Sequence, residues 1–152
     1  MNDKVKFLQE INISYRKKPV GTDAPVDEPL TDPGKVFALF SDMQNEMKEK
    51  LVAISLDAGQ KIISFEVVAI GTVHTITVNP FELFRSSIVV GAVGMILVHN
   101  HPAGDPAPSA SDRELTRKVA DYGRDGGIRL IDHIIIGDGR YYSFIAGKEY
   151  QC

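Results

Sequence analysis

The stretch that most constrains the fold is GMILVH, residues 94 to 99. It is too short to span a bilayer, which takes ~20 apolar residues. A short continuous apolar run of this kind is expected of a strand buried on both faces, inside a sheet that carries helices on both sides. The patterns around it agree. Asp32-Pro33 reads as a helix start, an Asx cap followed by proline in the first turn. Val36, Phe40, Met43 and Met47 then mark one apolar helical face. EKLVAISLD alternates as a strand with Val52, Ile54 and Leu56 on one side. KIISFEVVAIG and TVHTITV read as two further strands broken at Gly71.

Asn79-Pro80 opens a second helix expected to bury Phe81, Phe84 and Ile88. Ser109 opens a third, with Leu115, Val119 and Tyr122 inward. IRLIDHIII and YYSFIA form a final hairpin around Gly137-Asp138-Gly139. Upstream, residues 5 to 15 alternate well enough for one strand, and a proline-rich linker follows it. The expected organisation is an N-terminal strand and linker over residues 1–30 and an α/β domain, a mixed central sheet flanked by helices, over 31–148.

The chemistry begins where the buried strand ends, at His99-Asn100-His101-Pro102. Alternation puts both histidines on one face, with Cα atoms roughly 6.5 Å apart. Pro102 stops the strand. Asp112 falls in the first turn of the next helix, which a loop of moderate length can fold back over the strand end. Two imidazoles and a carboxylate suit Zn²⁺, and three protein ligands leave a fourth position open. Taken singly, the histidine pair also fits a structural pair, and Ser109-x-x-Asp112 also fits a helix capping box. Their conjunction at the carboxyl end of a strand is where open α/β sheets place their sites.

The remaining sequence narrows the classes. The one cysteine, Cys152, excludes an intrachain disulfide and a thiolate-built zinc site. A net charge of −3 argues against polyanion binding by electrostatics alone, and Arg16-Lys17-Lys18 reads as a solvated turn. MNDKVKFLQE has neither the apolar core nor the cleavage site of a secretory signal, and no membrane span is found, so a cytoplasmic protein is expected. The zinc deaminases need H-x-E and P-C-x-x-C, which are absent here. HNH nucleases spread their three residues over a ββα unit, whereas here they are adjacent letters.

The run His-x-His, seven residues, Ser, two residues, Asp resembles the JAMM (MPN+) metalloprotease motif at every defined position. The wider sequence is similar to the RadC family over roughly residues 36 to 146, through IGTVHTITVNPFELFR, HNHPAGDPAPSASD, LTRKV and IDHIIIG. The resemblance implies a JAMM/MPN, cytidine-deaminase-like architecture. It implies a zinc-dependent hydrolase of peptide or isopeptide bonds, with His99, His101 and Asp112 as metal ligands and Ser109 as oxyanion stabiliser. Glu49, just before LVAISLD, matches the upstream glutamate that such sites use as general base, with Glu46 as the fallback.

The partner expected is a peptide or protein, not a nucleic acid or a membrane, and a homodimer is left open. The rival is a DNA-repair-associated RadC-like protein that acts by binding rather than by hydrolysis. Residues 1 to 30 leave no room for the helix-hairpin-helix of longer RadC proteins, so a short form is expected. Ala103 and Phe81 stand where the family usually has serine and arginine, which puts specificity in question more than metal binding. Neighbours on a strand point to opposite faces, so only one of Asp132 and His133 can reach the site directly, to orient a ligand. The other reading of the two is a polar pair that fixes the sheet edge. His74 reads as a surface strand residue.

Overall fold

The computed structural model describes residues 8–21, 23–71 and 78–151. Its elements are α1 (Pro33–Phe40), a 3₁₀ turn (Ser41–Asn45), β1 (Lys50–Leu56), β2 (Ile62–Ile70), α2 (Pro80–Val89), β3 (Gly94–Asn100), α3 (Ala110–Gly126), β4 (Arg129–Ile136), β5 (Arg140–Ser143) and β6 (Lys148–Gln151). The strands form one mixed sheet in the order β2-β1-β3-β4-β5-β6. Only β3 and β4 run parallel, joined by the crossover helix α3. The other neighbours are antiparallel.

β3 is buried along its whole length, as its unbroken apolar run requires. Its even-numbered residues Ile96 and Val98 join Val52, Ile54, Leu56, Ile134 and Ile136 in one core, closed by Val36 and Phe37 of α1. Its odd-numbered Met95 and Leu97 join Leu51 and Ala53 in a second core, closed by Leu83 and Phe84 of α2, Val119 of α3 and Ile128. The sheet is therefore sandwiched by α1 on one face and by α2 and α3 on the other. His99 and His133, both odd-numbered, fall on the α3 side, and Asp132 on the α1 side.

Local signals explain the helix ends. Asp32 caps α1 by accepting from Gly34 N–H at 2.8 Å. Asn79 caps α2 through Phe81 N–H at 3.1 Å. α3 begins with a full capping box between Ser109 and Asp112, and ends on Gly127 in the left-handed conformation.

Several expectations are corrected. Residues 8 to 15 form no strand; they are exposed and without regular structure, because no neighbouring strand pairs with them. Met47 lies past the turn that ends α1 and is exposed, so the apolar face stops at Met43. α2 is rotated from its expected face: Phe81 and Ile88 are exposed, and the buried line is Leu83, Phe84 and Ser87. On that face Ser87 pairs with the Ser55 hydroxyl at 2.8 Å, a buried polar contact that hydrophobic periodicity does not see. Tyr122 is likewise largely exposed and lies against Phe81. The final hairpin extends into a third strand, β6. TVHTITV, apart from Val78, lies outside the described residues, and His74 with it. No helix among the described residues is long and apolar enough to cross a membrane.

Candidate metal centre

β3 ends at Asn100 where β1 begins, the last ladder pair being Leu51 with His99. Alternation continued one step past each strand end puts Glu49 and His101 on the same face as His99. Glu49, His99 and His101 each present a ligand atom within 4.8 Å of the other two, a group that could hold a metal ion. Glu46, the fallback, instead pairs with Lys50 Nζ.

α3 adds the second carboxylate. Asp112 Oδ1 lies 3.3 Å from His99 Nε2, and Oδ2 lies 3.3 Å from His101 Nε2. The two Nε2 atoms are 3.0 Å apart. Bonds of ~2.0–2.1 Å to a tetrahedral ion put neighbouring donors about 3.3 Å from one another. The two imidazoles are near that spacing and Asp112 reaches each of them through a different oxygen, while Glu49 belongs to the group within 4.8 Å.

The hydrogen bonds behind the histidines fix where their protons sit. Thr116 has one hydroxyl proton, which goes to the Asp112 carbonyl at 2.6 Å. Its oxygen must then accept from His133 Nδ1–H, 2.7 Å away. His133 is fully buried and faces histidines, and burial first, with His99 adding, pushes its pKa well below the usual imidazole value. It is therefore neutral, and its Nε2 accepts from His99 Nδ1–H at 2.8 Å. That leaves a lone pair on His99 Nε2. His101 Nδ1–H donates to the Asp105 carbonyl at 2.8 Å, which leaves a lone pair on His101 Nε2 as well. Two lone pairs and a carboxylate thus face one point, an arrangement that is stable only around a positive charge.

The electrostatics point the same way. In the metal-free chain burial would raise the Asp112 pKa, but the neighbouring His101 and His99 rings and the Ser109 hydroxyl hold it well below the usual carboxylate range. At His101 burial is likewise outweighed, by Asp112, the Asp105 carbonyl and Glu49, so its pKa is raised and it attracts a proton. A metal would compete for the same lone pair. His99 is nearly closed off at 4% exposure, while His101 and Asp112 keep 15% and 14%, so the open side lies between those two.

The loop that carries His101 is pinned. His101 N–H donates to Ile136 O, Gly104 N–H to His101 O, and Asp138 N–H to Gly104 O, each at 2.9 Å. A Cβ at Gly137 would lie 2.5 Å from Gly104 O and 2.7 Å from Pro106 Cδ, so only glycine lets the two loops close. Ser109 Oγ donates to Asp112 Oδ2 at 2.6 Å, and its N–H donates to the same oxygen at 2.7 Å. Capping the helix and orienting Asp112 are thus one set of bonds.

Of the neighbours Asp132 and His133, only His133 touches the site. Asp132 on the other face accepts from Ser143 Oγ at 2.6 Å, Ile145 N–H at 2.9 Å and His133 N–H at 2.7 Å, and ties β4 to the turn after β5. Thr116 lies in the LTRKV stretch that carries the resemblance, but its role was not readable there, because it depends on the seventeen-residue closure of α3 onto β4.

A family model described as RadC-like JAB domain matches residues 30–150. A UPF0758 protein of Methanosarcina acetivorans is 43% identical over 122 residues, 78% of this chain and 53% of its own length. One from Trichlorobacter lovleyi is 40% identical over 119 residues, 78% and 52%. One from Aquifex aeolicus is 36% identical over 115 residues, 76% and 50%. The chain thus spans about half the length of these relatives.

Proposed function

The chain belongs to the RadC-like JAB domain family, and from that premise we propose that it is a zinc-dependent hydrolase of peptide or isopeptide bonds. The observation that supports this is the convergence of His99 Nε2, His101 Nε2 and the Asp112 carboxylate, with Glu49 beside the histidine pair. In this reading His99, His101 and Asp112 hold the ion and Glu49 does not. A metal bound there by oxygen and nitrogen donors supplies Lewis acidity toward a carbonyl and lowers the pKa of water.

The protein's own groups do the rest. Glu49 takes a proton from the attacking water as the new C–O bond forms. It returns that proton to the amine nitrogen as the C–N bond breaks, so the products are a carboxylic acid and an amine. Ser109, whose hydroxyl proton rests on Asp112, turns it to the oxygen that gains negative charge. His133 and Thr116 hold His99 in the tautomer that presents Nε2 outward. The substrate is a peptide or protein chain; a net charge of −3 gives little attraction for a phosphate backbone.

The test is to incubate the zinc-loaded chain with a peptide library and a set of lysine isopeptides and to identify products by mass spectrometry. Wild type is expected to cleave a subset. Glu49→Gln is expected to keep zinc and lose roughly 10²–10⁴ of the rate, the usual worth of a general base. Absence of cleavage across both sets, or equal turnover by Glu49→Gln, contradicts the reading.

A further inference from the structure

Between the two histidines, Asn100 points to the opposite face of the sheet and is completely buried. Its amide makes two long-range bonds. The side-chain oxygen accepts from Lys50 N–H at 2.8 Å, and the Nδ2–H donates to the Lys48 carbonyl at 3.1 Å. Those two backbone groups bracket Glu49 on either side. The Glu49 carbonyl itself accepts from Gly71 N–H at 2.8 Å.

The ladder between β1 and β3 ends at Leu51 and His99. On its β2 side the start of β1 stays paired through Lys50 with Ile70, but on its β3 side Glu49 lies beyond the ladder, after an exposed, irregular turn, Glu46 to Lys48. A segment past the last ladder bond frays unless side chains replace the missing partners. Asn100 replaces both at once. Few side chains can: the task needs one donor and one acceptor on a short, planar group. Aspartate would keep the bond from Lys50 and set an oxygen against the Lys48 carbonyl. Alanine would give up both.

We infer that Asn100 is a positioning residue for Glu49, locking the carboxylate beside the histidine pair by clamping the backbone around it. Its functional meaning rests on the reading of Glu49 as the base; the clamp itself does not. His99 and His101 thus reach the metal from one face of β3 while Asn100 places the base from the other. The three letters of His-Asn-His act as one device.

The test uses the full zinc-loaded chain with Asn100→Ala and Asn100→Asp, the second being nearly isosteric should alanine fail to fold. Zinc stoichiometry, deuterium uptake of residues 47 to 51 and crystal structures are measured for each. The clamp predicts one zinc per chain throughout. It predicts at least tenfold faster exchange at 47 to 51 with residues 94 to 99 unchanged, and a Glu49 carboxylate displaced from the histidines. Wild-type exchange at 47 to 51, or an undisplaced Glu49, in a folded variant overturns it.

On a peptide cleaved by wild type, both variants should lower kcat tenfold or more with KM unchanged, and should add nothing in a Glu49→Gln background. A purely structural role would instead give losses that multiply with Glu49→Gln. If wild type cleaves nothing, the hydrolase reading fails, while exchange and structure still decide the clamp.

Discussion

His133 Nε2 lies 2.8 Å from His99 Nδ1, joining the centre of β4 to the end of β3 through two buried rings. Thr116 closes the chain from the other side at 2.7 Å. The relay sets which nitrogen of His99 is free, and in the proposed reading it thereby tunes metal affinity from outside the ligand set.

Removing that relay should weaken binding. His133→Phe is expected to cost 10- to 100-fold in zinc affinity, the usual effect of losing an outer partner of a ligating histidine. Thr116→Val should also weaken binding, because the buried His133 Nδ1–H then has no acceptor and the tautomer that accepts from His99 is disfavoured. A chelator competition titration measures both. Unchanged affinity in His133→Phe contradicts the relay.

Asp132, one residue away, should behave in the opposite manner. Asp132→Asn cannot accept from all three of Ser143, Ile145 and His133 N–H, and should lose ~1–3 kcal/mol of stability. Zinc stoichiometry should stay at one per chain. Thermal denaturation with metal analysis checks the pair, and metal loss in Asp132→Asn would mean that the two faces are coupled.

Much of this site was legible in the sequence. The apolar run of β3 required burial on both faces, and His-x-His at its end required one shared face. The Ser109-x-x-Asp112 spacing foretold the capping box that the structure contains. What was not legible depends on pairing across distance. Which of Asp132 and His133 faces the histidines follows from the parallel register, Leu97 beside His133, which no local pattern encodes. Asn100 reads as a spacer until β1 is laid beside β3. Of the strand expected over residues 5 to 15, the described residues 8 to 15 form none, because alternation describes a surface, not a partner to pair with. The α2 face failed because a polar residue, Ser87, joins Leu83 and Phe84 on the buried side and bonds Ser55, which hydrophobic periodicity does not count.

The loop closure at Gly137 gives a third prediction. In Gly137→Ala the new methyl meets Gly104 O and Pro106, backbone and ring atoms that cannot swing aside. Overpacking of this kind costs ~1–3 kcal/mol, and Tm should fall by several degrees. Because the same loop carries His101, zinc affinity should fall with it. Calorimetry with and without zinc tests both, and a variant equal to wild type removes the loop from the account.

Two opposite shifts set the pH behaviour of the metal-free chain. His133 has a folded pKa below its unfolded value near 6.5, so the unfolded chain binds more protons in that window. Stability is therefore lost as pH falls below about 6.5, by up to ~1.4 kcal/mol per unit for one proton. His101 has a raised pKa, so its contribution is fully present below 6.5 and is lost as pH rises through the folded value. Denaturant unfolding of metal-free protein should show a stability maximum near neutrality. In His133→Phe the acid-side loss should shrink. An unchanged acid limb there would remove His133 as its source.

The most direct test is zinc content, by mass spectrometry, of wild type, Asp112→Ala and Glu49→Gln purified at neutral pH with zinc supplied. Two carboxylates adjoin the histidine pair, Glu49 in the group that could hold a metal and Asp112 at 3.3 Å from each Nε2, and the proposed reading gives the third ligand position to Asp112. The account predicts one zinc per chain in wild type and in Glu49→Gln, and none in Asp112→Ala. Zinc retained by Asp112→Ala and lost from Glu49→Gln, or absent from all three, would contradict it.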